Sequence, residues 1–115
     1  MSTASIVLAV VWLLSGALVL WIGVKAAQGT LPKNELAGIR TAAVMRNEET
    51  WFKGHKAAAD LLITSSVPML IGGIASLFVA NEIILCVISL AVAVLVLVIT
   101  ILACRKANAA VEGLQ

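Results

Sequence analysis

Three long runs without a charged side chain limit what this sequence can fold into. Residues 6–24, 61–80 and 83–104 contain no Asp, Glu, Lys or Arg. As helices rising ~1.5 Å per residue, each can cross a hydrocarbon core of ~30 Å. Lipid offers no partner to a backbone N–H or C=O, so such runs must satisfy their own hydrogen bonds and form helices. Composition agrees: 62% of the 115 residues are hydrophobic and 12% charged, against roughly 45–50% and 25% in soluble domains. The expected fold is all-α, an integral membrane protein with three transmembrane helices at about 5–26, 58–80 and 83–104. It forms a single membrane domain, with a polar loop or interfacial helix at 30–60 and a tail at 105–115.

The first run is a membrane helix rather than a cleaved signal, because residues 1–5 lack a basic region and the run exceeds a signal core of ~7–15 residues. Trp21 is placed as an interfacial anchor, and Ser15, Gly16 and Ala17 as a small-residue face for close helix contact. Gly29, with Pro32 beyond it, reads as a helix stop. Asn47 is the expected N-cap of the next helix, with Glu48 and Glu49 at the positive end of its dipole. That helix is expected to run unbroken through Trp51, His55 and Lys56 into the membrane. Pro68 predicts a kink, with the hydroxyls of Thr64, Ser65 and Ser66 re-satisfying the carbonyl it frees. Gly72 and Gly73 offer a flat contact patch, and Asn81–Glu82 a tight turn into the third helix. Its uniform apolarity points to lipid or a partner subunit, Arg105 and Lys106 stop it, and the tail is expected to fray.

Charge gives the orientation. Lys25, Lys33, Arg40, Arg46, Lys53 and Lys56 flank or occupy the long connector, Arg105 and Lys106 follow the third run, and the other two membrane ends carry no Lys or Arg. Basic residues stay on the cytoplasmic side. The expected topology in a bacterial inner or plasma membrane is therefore an outside amino terminus, with the 30–60 segment and the carboxyl terminus in the cytoplasm. Cys86 and Cys104 are too far apart along one helix to bridge, and with one His no metal-ligand spacing exists. A net charge of +2 does not suggest nucleic acid.

The polar segment admits a plain reading, a stop-transfer signal with Trp51 and Phe52 as interfacial anchors. Its residue types suggest more. Asn47, Trp51 and His55, spaced by four, fall on one helical face. Arg40, beside Gly38, suggests a defined planar contact, either a tie across the loop answered by Glu48 or Glu49 or a grip on phosphate. Asp60 is expected at the interface, solvated or paired with a basic neighbour. Asn34, Gly38, Arg40 and Thr41, then Trp51 and His55, together resemble the N…GxRT…W…(N/H) motif of the SdpI family of bacterial immunity-type membrane proteins.

The resemblance covers about a third of the chain and makes Asn34, Gly38, Arg40, Thr41, Asn47, Trp51 and His55 the candidate site. It implies protection against a secreted membrane-active toxin peptide, and in the founding member also signalling by holding a repressor at the membrane. That member is longer, with more helices, and the family often has Pro or Thr where this chain has Ala42, Ala43 and Val44. The expected partners are the lipid bilayer and a membrane protein or toxin peptide, with a homo-oligomer also open. No cofactor or metal is implied. The alternative is an accessory subunit packed on a larger membrane complex. A small multidrug transporter fits poorly, since residues 6–24 hold no carboxylate, and no nucleophile–base pair suggests an enzyme.

Overall fold

The computed structural model describes residues 2–34 and 37–113. Helices α1 (Thr3–Gln28), α2 (Ala42–Met45), α3 (Glu48–Leu77) and α4 (Glu82–Val111) follow in order. The bundle measures 52 × 21 × 20 Å, longer than a hydrocarbon core of ~30 Å. Helices α1, α3 and α4 are each long and apolar enough to cross a membrane. Polar groups gather at the end where α1 stops, α3 starts and α4 stops, called here the loop end.

The helix ends follow local chemistry. Ser2 caps α1 by accepting from the Ser5 N–H, and Gly29 closes it at φ 71°, a left-handed conformation that costs glycine nothing. Asn47 caps α3 in a reciprocal box with Thr50: its Oδ1 accepts from the Thr50 N–H at 2.9 Å, and the Thr50 Oγ1 accepts from the Asn47 N–H at 3.0 Å. Asn81 caps α4 by accepting from Ile83 and Ile84.

Helix α3 is the central element and packs on both α1 and α4, which touch each other little. Small residues set the spacing. A Cβ on Gly23 would lie 2.7 Å from the Ile63 Cγ1 and 3.0 Å from its backbone N, and one on Gly73 would lie 2.8 Å from the Leu13 Cγ. Gly16 faces Leu70 and Gly72 faces Val92 at similar range, so the glycine patch expected on α3 is a contact face. Of the small residues expected on α1, Gly16 makes the close contact while Ala17 is exposed. Trp12 Nε1 donates to the Ser89 Oγ at 3.2 Å, tying α1 to α4. Much of α4 shows Val, Leu and Ile on its outside, as its uniform apolarity implied.

Two expectations fail. The third helix does not stop at Arg105 and Lys106, nor does its tail fray: α4 runs to Val111, and Ala103, Ala107 and Val111 are fully buried. Small side chains at four-residue spacing form a seam against the connector, and that packing outweighs the charges between them. Residues 114–115 lie outside the described residues. The hydroxyls near Pro68 also act differently. Thr64, Ser65 and Ser66 donate to the carbonyls of Asp60, Leu62 and Ile63, not to the Thr64 carbonyl that Pro68 leaves, because a helical Ser or Thr reaches back three or four residues. Helix α3 is continuous through Pro68.

Candidate functional site

The first turns of α3 carry two buried rings that hold the connector in place. The Trp51 Nε1–H donates to the Leu31 carbonyl at 2.9 Å, and the indole is fully buried. One turn later the His55 ring lies 4.1 Å from the indole, centroid to centroid, with a 37° tilt. The His55 Nε2 is 2.8 Å from the Ile39 N–H, and Nδ1 is 2.8 Å from the Trp51 carbonyl. An amide only donates and a carbonyl only accepts, so the neutral ring carries its proton on Nδ1. His55 lies before the charge-free part of α3 that begins at residue 61, and burial pushes its pKa below the ordinary value, against a smaller opposing pull from the Trp51 carbonyl. Both ring nitrogens are committed to backbone, so neither faces a ligand.

Gly38 passes directly over these rings at φ 114°, where a Cβ would sit 2.6 Å from the His55 Nε2 and 3.0 Å from the Trp51 Cη2. Only glycine fits the space and the dihedral. Asn34 shapes the preceding turn: its Nδ2 donates to the Pro32 carbonyl at 2.8 Å, and its Oδ1 accepts from the Ala37 N–H at 2.7 Å. The Arg40 Nη1 donates to the Asn34 carbonyl at 3.0 Å, which makes Arg40 a tie within the loop. Neither Glu48 nor Glu49 pairs with it; among the described residues the only carboxylate ion pair is Asp60–Lys106 at 3.0 Å. The chain has already bent back on itself at Gly38, so the guanidinium meets its own loop.

Thr41 caps α2 by accepting from the Val44 N–H and donates to the Asn108 Oδ1 at 2.6 Å. Asn47 does not share the helical face of Trp51 and His55. Its backbone is extended at the cap, so four-residue spacing does not carry through it. Nor are Trp51 and Phe52 a pair of surface anchors, since Trp51 is wholly inside.

Several working residues escaped the sequence reading. Thr50, fully buried, bonds to the Val44 carbonyl at 2.9 Å and fixes α2 on α3; the only signal for it was an Asn-x-x-Thr spacing. Gly54 leaves room for Val44, whose Cγ2 would lie 2.9 Å from a Cβ there. Asn108 and Val111 belong to the site too. The Arg46 Nη2 donates to the Val111 carbonyl at 3.4 Å, where a cation suits a helix C-terminus. Nothing local in residues 103–111 marks them as partners of the connector.

Asn34, Gly38, Arg40 and Thr41 thus lie on one short connector, and Trp51 and His55 lock that connector to α3 from below. Among curated proteins and among solved structures, no match to the chain is found. The family model described as the SdpI/YfhL protein family matches residues 30–103, beginning at the connector and ending in α4. Over most of its length, including every residue of the locked connector, this chain belongs to the SdpI/YfhL family.

Proposed function

We propose that this chain is an immunity-type protein of the bacterial cell membrane, conferring tolerance to a membrane-active toxin peptide or sensing its presence through the connector at the loop end. We infer that this end faces the cytoplasm, as the distribution of Lys and Arg favours. One observation carries the reading beyond a plain anchor. The connector is held by buried, fully partnered polar groups at Trp51 and His55. A topogenic charge cluster needs no defined backbone, whereas a surface presented to a peptide or protein partner does. Membership in the family supports the reading.

The test is deletion of the gene followed by challenge with a panel of membrane-active peptides. Expected is a lowered inhibitory concentration for at least one peptide, restored by the wild-type chain but not by Gly38→Val expressed at equal level. Unchanged sensitivity across the panel would count against it. A second reading, an accessory subunit, is favoured by the exposed stripe Val87, Leu90, Val94, Leu97 and Ile101 on α4. Recovery of the chain alone from mild detergent would count against that reading.

A further inference from the structure

Toward the loop end, α1 and α4 leave a groove over α3, with a cavity volume of about 360 Å³. Its walls are mostly apolar, with Val19 and Ile22 from α1, Met69 from α3 and Val96 from α4, and α4 also contributes Thr100 and Cys104. Leu62, which lines it as well, and Met69 are seven residues apart, so the groove follows α3 for ~10 Å. Ser65, also in the wall, donates its hydroxyl to the Leu62 carbonyl and leaves no donor pointing into the space. At the loop end the groove is bounded by the connector at Gly38, Ile39 and Arg40. A slot of this shape between membrane helices is largely apolar along its length, which suits a hydrocarbon chain, and has a cation at one end.

The cation is suited to an anion. A guanidinium carries five N–H donors, and Arg40 gives one of its nitrogens to the Asn34 carbonyl. That bond orients the planar fork while the side chain stays exposed. No carboxylate among the described residues neutralises it. Planar forks pair well with phosphate oxygens.

We propose that this groove seats one acyl chain of an anionic bilayer phospholipid, with its headgroup phosphate on Arg40. The lipid would then fill the space between α1 and α4 and link it to the connector. The inference rests on the groove and Arg40 alone and is independent of any role in toxin tolerance.

The chain would be placed in nanodiscs of equal phosphatidylglycerol and phosphatidylcholine, and the lipid retained on release measured by native mass spectrometry. Expected is one phosphatidylglycerol per chain, favoured about fivefold over phosphatidylcholine, which offers the same phosphate but whose choline cation opposes Arg40. That is the size of one basic residue's attraction to a net anionic headgroup. Arg40→Gln should equalise the two lipids, Arg40→Lys should keep part of the preference, and Thr100→Phe, which fills the groove, should remove the retained lipid. Thermal melts establish that each variant is folded. Equal retention of the two lipids by the wild-type chain would overturn the proposal whatever the variants do. So would a preference unchanged in both Arg40→Gln and Thr100→Phe.

Discussion

His55 serves two backbone segments with one ring, and that arrangement works in only one protonation state. A proton on Nε2 would face the Ile39 N–H, setting donor against donor at 2.8 Å. Because the folded pKa is depressed below the ordinary 6.5, the fold favours the neutral ring. The stability this contributes is complete above about pH 6.5, falls as the pH drops and the unfolded chain takes up the proton, and is fully lost below the folded value. The chain has one His, so thermal melts in detergent between pH 8 and pH 5 should show a loss that His55→Gln abolishes. Two neighbouring substitutions follow from the same geometry. Gly38→Ala should cost at least about 1–3 kcal/mol from its dihedral alone, with the clash against both rings added. Trp51→Ala should cost about 3–5 kcal/mol, and Trp51→Phe about 1–3 kcal/mol for leaving the buried Leu31 carbonyl unpaired. Chemical denaturation checks all three.

At the scale of the helices, close approach sets stability. Gly23→Val would push two methyls toward the Ile63 backbone, 3.0 Å from where its Cβ must go, and should destabilise the α1–α3 pair by about 1–3 kcal/mol. The thermal midpoint of the purified chain measures it. The helices themselves were legible in residue order, because hydropathy, Gly29 and Asn47 are local signals. The end of α1 and the start of α3 follow them, whereas α3 stops at Leu77 rather than at 80. The extent of α4 was not legible. Arg105 and Lys106 are indeed exposed, but Ala103, Ala107 and Val111 turn inward on the same helix. A run of Ala reads alike on a frayed tail and on a packed seam. The motif singled out Trp51 and His55 without showing that they bond backbone 20 and 16 residues earlier, respectively. Such pairings depend on how the connector folds over α3, which no local spacing encodes.

For the whole molecule, the loop end gathers the connector and the last turns of α4 on one side. A single Cys at position 33 and another at position 113, each in a chain carrying Cys86→Ser and Cys104→Ser, should therefore behave alike. Both should resist an impermeant thiol reagent added to intact cells and react once the membrane is permeabilised; labelling of intact cells would reverse the topology. The bonds from Thr41 to Asn108 and from Arg46 to Val111 join residues 67 and 65 positions apart. During synthesis the connector emerges early, yet those two bonds must wait until the last turns of α4 have been made. For that interval the newborn segment is held from α3 alone, through Trp51 and His55, so its final form is timed by the translation of residues far downstream.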